Sequence, residues 1–470
     1  MGPRRRPRPR PEVLGLLLLT GAWCAGSAGG ATSGGAGVAL TPPLGWRSWN
    51  AYHLTVTQSA VSAAGVALAA ARNGSGRLDA GGAYSFRALG FVDVGLDDGW
   101  QACGKGVEGK FRGPDGLPLV NRARFPNLHK MVAGLHALRL RAGFYLNNCE
   151  CREVPDGAQG NTTDYVRNFP GDSAYRGDVQ VARSAGFDSL KIDNCGPWIN
   201  MDTYFNLSRP MMVEVNPWAP ATYDRYKPSN RGPGYGVPNA TWCPMHMFRV
   251  SKDLKPTWES VWWNLQAMRS FSDVSRPGCW AYADMLYLGK LASAMEDRAH
   301  FSAWCITSSP LILGHKASDE RVNQYVFGLV NNPLALAVNQ QWAGHAGAMV
   351  AEVRPGVQLW AKPLLGGDVA VMLINGGTRR IQASVDVDAA RLRFSRPPAR
   401  KYFVIDVWGG ASSTRENKFP VSLFAHEAVF YVVKGGGTFA PSRAPTARPT
   451  TRTPTTARPS TSKPTRPTRS

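Results

Sequence analysis

The feature that most constrains the fold is an alternation of apolar runs and longer amphipathic stretches between residues 41 and 342. The apolar runs at 91–96, 142–146, 187–192 and 211–215 are typical of buried strands, and the segments 128–138 and 179–185 are helix-like. Strands alternating with helices over a stretch of this length predict a parallel sheet wrapped by helices. The size favours an α/β fold of the (β/α)8 type, a TIM barrel, over residues 38–343.

Polar residues follow the predicted strands at the points where the strands end. Asp97 and Asp98 follow one strand, Asn147 and Asn148 the next, and Asp193 closes the run that contains Lys191. Active sites of such barrels lie at this face. The nearby positive charge of Lys191 would keep Asp193 ionised, as a nucleophile requires. A structural ion pair has the same spacing, so the motif alone leaves both interpretations open.

The chain changes character after residue 343. Short alternating segments with glycine turns over 344–434 predict a C-terminal antiparallel β-sandwich. Residues 435–470 consist largely of Thr, Pro, Ser and Arg and cannot bury a core, so we expect a disordered Pro/Thr-rich stalk.

The first residues predict export from the cytoplasm. An arginine-rich start, a short apolar run and a small-residue segment are typical of a signal peptide over 1–31. Four N-glycosylation sequons, at Asn73, Asn161, Asn206 and Asn239, agree with a secreted or lumenal glycoprotein, in a lysosome, a vacuole or a cell wall. No later segment is long and apolar enough to predict a transmembrane anchor.

The formal charge of +21 does not predict a nucleic-acid partner. Much of this charge comes from the arginine-rich start and the basic C-terminal segment, and the body carries no basic helix or aromatic-interleaved basic stripe.

Other residues are candidates for a carbohydrate site, although each has a structural alternative. Trp46 and Trp49 could stack on a sugar or pack in the core. The pair Asp97-Asp98 could bind sugar hydroxyls or form a turn. Asp253, four residues after Arg249, could be a general acid or a helix cap, and Asp284 lies in a comparable aromatic, strand-end context.

Together these patches resemble glycoside hydrolase family 27, the α-galactosidase and α-N-acetylgalactosaminidase family. The resemblance runs from Thr41 to about Val433 and rests on six motifs in the family's order. These are the segments 41–50, 96–100, 191–195, 283–285 and 337–341, together with the Arg249 to Asp253 spacing.

The resemblance implies a barrel with a C-terminal β-sandwich and retaining hydrolysis of terminal α-galactosides, without a cofactor or a metal. The substrates would be oligosaccharides, glycolipids or polysaccharides. In this pattern Asp193 matches the nucleophile and Asp253 the acid/base. The positions that match sugar-holding residues are Trp49, Asp97, Asp98, Tyr145, Lys191, Arg249 and Asp284. Because close contact with Arg249 would lower the pKa of Asp253, we expect Arg249 to point at the sugar or at Asp193.

The sequence departs from the family pattern at two places. Gly99 stands where many members have a cysteine after the Asp-Asp pair, and the loop after Glu214 lacks its usual cysteine. We therefore expect Cys243 to have lost its partner, and Cys195 to pair with Cys149 or Cys151. Glu214 is a candidate sugar contact, but the choice of sugar stays open.

Three other functions stay open at this point. An α-N-acetylgalactosaminidase or a β-L-arabinopyranosidase would use the same scaffold, and so would a non-catalytic carbohydrate-binding protein. Because both Asp193 and Asp253 are present, the sequence favours an active enzyme.

Overall fold

The computed structural model describes residues 37–103, 109, 111–147, 173–193, 201–216 and 238–435. Its first part is built on eight short parallel strands, which are fully buried except at the two ends of β3. They are β1 Leu44–Arg47, β2 Asp93–Gly95, β3 Arg141–Asn147, β4 Ser189–Asp193, β5 Met212–Asn216, β6 Met247–Arg249, β7 Trp280–Tyr282 and β8 Leu311–Leu313.

These strands form one curled sheet in the order β7-β6-β5-β4-β3-β2-β1-β8. Every pair is parallel, from β1 with β8 and β2 through to β6 with β7. Leu286, just after β7, makes a parallel bridge with Leu313 of β8, which brings the two edge strands together. In such a closed order β5 lies across the barrel from β1.

The helices lie between the strands along the chain. They are α1 Trp49–Tyr52, α2 Gln58–Ala69, α3 Leu128–Ala137, α4 Ser173–Ala185, α5 Met201–Ser208, α6 Trp258–Met268, α7 Ala294–Ile306, α8 Glu320–Val330, α9 Pro333–Gln340 and α10 Val387–Leu392. Short 3-10 turns span His53–Thr55, Arg269–Phe271 and Leu365–Gly367. Side-chain caps fix several helix starts: Thr257 accepts a hydrogen bond from Ser260 N, and Ser293 from Glu296 N.

The second part is antiparallel. A six-stranded sheet has the order β14-β13-β16-β11-β10-β9, and β12 pairs with β15. These strands are β9 Ala348–Arg354, β10 Val357–Pro363, β11 Val369–Asn375, β12 Ile381–Asp386, β13 Lys401–Asp406, β14 Ser412–Glu416, β15 Lys418–Leu423 and β16 Ala428–Val433.

The two parts share one buried interface because β10 and β11 are buried on both faces. Val371 and Leu373 of β11 pack inside the C-terminal part, whereas Met372 and Ile374 join the core of the barrel. This alternation follows from the two-residue period of a strand. The buried helix α7 packs against β11 and β16 from the barrel side.

This architecture confirms the predicted fold class of a parallel barrel followed by antiparallel sheets. The proposed signal peptide and almost all of the proposed stalk lie outside the described residues. Among the residues that are described, no helix has the length and apolar character needed to cross a membrane.

Candidate active site

Three neighbouring strands bring polar side chains to the carboxyl end of the barrel. In the parallel register Lys191 lies between Tyr145 of β3 and Glu214 of β5. Two residues further on, Asp193 lies between Asn147 and Asn216. Because every second residue of a strand points to the same face, Lys191 and Asp193 project to the same side of β4.

Lys191 pairs with Asp97. Its Nζ lies 2.7 Å from Asp97 Oδ2, and both side chains are buried. Burial alone would raise the pKa of Asp97, but Lys191 and Arg47 hold it below its usual value. The charge of Asp193 also contributes to the raised pKa of Lys191, so Lys191 interacts electrostatically with both carboxylates.

Asp193 is buried and accepts a hydrogen bond from Tyr145. The Tyr145 hydroxyl lies 3.0 Å from Asp193 Oδ2. Burial, followed by the charge of Asp193, raises the pKa of Tyr145 well above its usual value, so the hydroxyl stays protonated and donates. The strand is held in turn by Trp100, whose Nε1 donates to the carbonyl of Tyr145 at 2.8 Å.

Arg249 bridges two carboxylates on the loops after β6 and β7. Its Nη2 lies 3.0 Å from Asp253 Oδ1, and its Nη1 lies 3.2 Å from Asp284 Oδ1. The expectation that Arg249 avoids Asp253 is therefore wrong, because the four-residue spacing lets the guanidinium reach back to it. The side chain of Asp253 is nevertheless 52% exposed, so solvent screens this contact.

Asp284 is held by its backbone as well as by Arg249. It adopts φ 86°, in the left-handed region that is uncommon for residues other than glycine. Its carboxylate accepts hydrogen bonds from Leu254 N at 2.7 Å and from Met285 N at 2.8 Å. Burial raises the pKa of Asp284, and the positive charge of Arg249 opposes that rise. Asp284 thus ties the loop that carries Asp253 to the end of β7.

Asp98 and Trp49 lie near this centre in different settings. Asp98 is buried, and its Oδ1 accepts hydrogen bonds from Gly99 N at 2.8 Å and from Gln101 Nε2 at 2.7 Å. A Cβ at Gly99 would lie 2.9 Å from the backbone of Leu54, at a φ of 103°, so glycine fits where larger residues would not. Trp49 is partly buried against a cluster that includes Met285.

Arg47 is buried at the end of β1, and the sequence motifs did not single it out as a candidate. Its Nη2 forms an ion pair with Glu214 Oε2, and its Nη1 lies 3.9 Å from Asp97 Oδ2. Burial raises the pKa of Glu214, against the opposing effects of Arg47 and Lys191. The sequence could have indicated a role for Arg47, because an arginine at the end of a fully buried strand needs a buried partner.

The charged side chains of the cluster pair with one another and with a hydroxyl group. Within the described segments, no group of three or more His, Cys, Asp or Glu side chains could hold a metal ion. The carboxylates instead face cations and a hydroxyl, an arrangement suited to binding a polyhydroxylated ligand.

Comparison with protein-family models identifies the family to which the chain belongs. The family model described as "Alpha galactosidase A" matches residues 41–341, which are well over half of the chain. The chain belongs to the α-galactosidase family. A second family model, "Alpha galactosidase C-terminal beta sandwich domain", matches residues 355–433. The protein is therefore a glycoside hydrolase of this family, as the motifs predicted.

The chain is similar in sequence and in structure to known α-galactosidases over most of its length. A probable α-galactosidase of Dictyostelium discoideum is 28% identical over 361 residues, which are 73% of this chain and 79% of that protein. The solved structure of α-galactosidase I from Mortierella vinacea has 21% identity and a TM-score of 0.66, covering 85% of this chain and 98% of that one.

The fold alone does not select the sugar. A β-L-arabinopyranosidase of the same family from Geobacillus stearothermophilus has 16% identity and a TM-score of 0.64, covering 86% of this chain and 98% of that one. The loop expected to distinguish the sugars, residues 217–237, lies outside the described residues.

Cys243 is paired, contrary to what the departure from the family pattern suggested. Cys243 forms a disulfide with Cys279, so the expectation that it had lost its partner is wrong. The two residues precede the adjacent parallel strands β6 and β7, which brings their Cα atoms to 6.2 Å. Cys305 is free and buried. The three cysteines proposed to pair, Cys149, Cys151 and Cys195, lie outside the described residues.

Proposed function

We propose that the protein is a retaining exo-glycosidase that hydrolyses terminal α-D-galactosyl residues, with Asp193 as nucleophile and Asp253 as acid/base. One observation carries this assignment: the two carboxylates lie in opposite settings at the carboxyl end of one barrel. Asp193 is buried and oriented by Tyr145, whereas the side chain of Asp253 is 52% exposed. A nucleophile must be oriented and kept from water. An acid/base, by contrast, must exchange protons with water.

In the first step the Asp193 carboxylate attacks the anomeric carbon, and Asp253 gives its proton to the departing glycosidic oxygen. The bond to the leaving group breaks as a covalent galactosyl ester forms. In the second step Asp253 takes a proton from water, and the oxygen of that water displaces Asp193. Two inversions give net retention, a route that uses carboxyls roughly 5–5.5 Å apart.

The remaining charged residues would hold the sugar and tune the two carboxyls. Lys191 and Asp97 form a pre-oriented pair that can donate to one hydroxyl and accept from another. Tyr145 shares its hydroxyl with the nucleophile, and Arg249 fixes the acid/base. Asp98, Glu214 and Trp49 complete the set of proposed sugar contacts. Asp284 acts through Arg249 and the backbone of Leu254.

The decisive experiment uses purified protein and p-nitrophenyl α-galactoside, with azide as an external nucleophile. Asp193→Ala should lose hydrolysis, and azide should restore turnover by attacking from the vacated face, giving β-galactosyl azide. Asp253→Ala should accumulate the ester and give α-galactosyl azide, because azide replaces water in the second step. Opposite anomers from the two variants would identify both roles at once.

A matched control is Asp273→Asn, an exposed carboxylate paired with His345 outside the site, which should keep wild-type kinetics. Full activity of Asp193→Ala would refute the mechanism. Inactivity of the wild type on α-galactoside, 2-acetamido-α-galactoside and β-L-arabinopyranoside alike would favour a binding protein.

We also propose that the protein is secreted or lumenal and glycosylated. Asn206 and Asn239 are exposed, and Asn73 is partly exposed. Expression with its own first residues in cultured eukaryotic cells should place it in the medium or in a vesicular compartment. Peptide-N-glycosidase should then lower its apparent mass. An unglycosylated cytosolic product would contradict this proposal.

A further inference from the structure

The loop that carries Asp253 is held to α6 by one completely buried side chain, Asn264. The Nδ2 of Asn264 donates to the carbonyl of Lys252 at 3.2 Å and to the carbonyl of Ala283 at 2.9 Å. Its Oδ1 accepts a hydrogen bond from the Ser251 hydroxyl at 2.7 Å. The second turn of α6 therefore has a fixed position beside Lys252 and the proposed acid/base.

Trp263, the residue after Trp262 in α6, faces solvent and carries a cation. Two other tryptophans of this helix pack against Gly376 of the C-terminal part: Trp258 Nε1 donates to its carbonyl at 3.2 Å, and a Cβ there would lie 2.6 Å from the Trp262 ring. Trp263 is instead 48% exposed, and the ammonium of Lys252 lies 4.3 Å from the centroid of its ring. A cation–π contact therefore fixes the position of the Lys252 side chain at the surface.

The charge of Lys252 is not neutralised by a carboxylate. In the part of the chain that the structure describes, no Asp or Glu oxygen lies within ion-pair distance of its ammonium, and the same holds for Lys255, which is also exposed. The carboxylate between them in the sequence, Asp253, is already paired with Arg249. The loop therefore presents two exposed positive charges on either side of the proposed acid/base.

We propose that Lys252, positioned by Trp263, contacts the leaving group of the substrate and favours a leaving group that carries a negative charge. This inference rests on the proposed function, in which Asp253 gives its proton to the glycosidic oxygen. The leaving group then starts at Asp253 and extends over the exposed residues beside it. Lys252 precedes Asp253 directly, with a Cα separation of roughly 3.8 Å, so its ammonium can pair with a carboxylate, phosphate or sulfate near that oxygen.

The exposure of Lys252 sets the size of the expected preference. The buried cations Lys191 and Arg47 are committed to Asp97 and Glu214, so they are not available to the leaving group. The ammonium of Lys252 is at the surface, where water and salt weaken its attraction for an anion. Two unit charges about 4 Å apart in water attract each other by about a factor of five in an equilibrium constant, so the preference is modest and depends on ionic strength.

The test compares kcat/KM for 4-carboxyphenyl α-galactoside with kcat/KM for 4-carbamoylphenyl α-galactoside, two substrates of similar size that differ in charge. The intrinsic reactivities of the two leaving groups are the same for every variant, so a change in the ratio of the two values reports the protein. Lys252→Met should lower this ratio about fivefold, Lys252→Glu should lower it further, and Lys252→Arg should keep it near the wild-type value. The value for the neutral substrate should stay within about twofold, because Lys252 takes no part in forming or hydrolysing the galactosyl ester.

Two further measurements separate a fixed contact from the general charge of the protein. Trp263→Leu keeps the ammonium but releases it from the ring, so it should lower the ratio about twofold and leave the neutral substrate unaffected. Raising NaCl from about 0.02 M to about 0.5 M should lower the wild-type ratio and leave that of Lys252→Met unchanged. Lys401→Met is the matched control, because it removes the same unit charge from an exposed lysine of the C-terminal sheet, which pairs with Glu416. It should leave the ratio unchanged.

Two results would overturn the contact between Lys252 and the leaving group: an unchanged ratio in Lys252→Met, or a wild-type ratio that does not respond to salt. An equal loss on both substrates in Trp263→Leu would overturn the positioning role given to the ring. Failure of the proposed function is distinguishable from these results, because the wild type would then hydrolyse neither of the two galactosides.

Discussion

Replacing Lys191 by Met should destabilise the protein in a way that depends on pH and on Asp97. The pair is buried, and the other cation near Asp97, Arg47, lies 3.9 Å away. Removal of one partner from a buried pair leaves an uncompensated charge and costs about 3–5 kcal/mol in the free energy of unfolding. The double variant Lys191→Met/Asp97→Asn removes that charge and should recover most of the loss.

The sign of the pH dependence follows from the Asp97 carboxyl. In wild type its pKa is lowered, so it stabilises the fold above its unfolded pKa, and this contribution is lost as the pH falls toward the folded value. In Lys191→Met burial should raise the pKa of Asp97. Protonation of Asp97 then removes the cost of its unpaired buried charge as the pH falls. The difference between variant and wild type should therefore be largest near pH 7 and should narrow toward pH 4.

Urea unfolding followed by tryptophan fluorescence at pH 4, 5.5 and 7 measures this difference. Lys434→Met is the matched control, because Lys434 pairs with Asp368 at 2.8 Å but is one-third exposed, and it should cost about 1 kcal/mol or less. Two results would refute this account of the pair. One is a loss of unfolding free energy in Lys191→Met that is independent of pH, and the other is a loss that the double variant does not relieve.

Three further substitutions test other parts of the structure. Tyr145→Phe removes the 3.0 Å hydrogen bond to Asp193 and should lower kcat/KM about tenfold in steady-state assays; unchanged kinetics would contradict the role given to this hydroxyl. Burial lowers the pKa of Lys362 to about 7, so the free energy of unfolding should rise by about 2 kcal/mol from pH 7 to pH 9, and a rise that persists in Lys362→Met would exclude Lys362 as its source. Cys243→Ser removes the disulfide to Cys279 and should lower the free energy of unfolding, measured in urea, by about 2–4 kcal/mol. Equal stability with and without the disulfide would contradict its stabilising role.

The sequence predicted β2, whose three residues lie within the six-residue apolar run 91–96, and the longer strands β3 to β5, but it missed β1 and β6 to β8. Residues 142–146 and 187–192 form runs long enough to stand out, and they became β3 and β4. By contrast β6, β7 and β8 contain three residues each, too few for any periodicity to show. These strands are set by tertiary packing around the barrel, and the motifs at their ends were the better guide to their position.

Side-chain pairing in the site was less predictable than the identity of the residues. Lys191 and Asp193 lie two residues apart on one strand, and Lys191 also pairs with Asp97, which follows a different strand. Cys243 and Cys279 are separated by 36 positions and meet only because β6 and β7 are adjacent. Arg47 acts across the barrel, a contact that no local spacing encodes. Each case depends on the closed order of the strands.

That order also divides the charges of the site into an inner and an outer set with different properties. The inner set contains Asp97, Lys191, Arg47 and Glu214, all buried, so their ion pairs are little screened and keep a fixed arrangement. In the outer set Arg249 holds Asp253, whose side chain remains open to water. A residue that must gain and lose a proton in every cycle needs that access, whereas residues that only hold the sugar are more effective when water is excluded. The difference in burial between the two sets is therefore the physical basis for expecting Asp253, rather than any inner carboxylate, to transfer the proton.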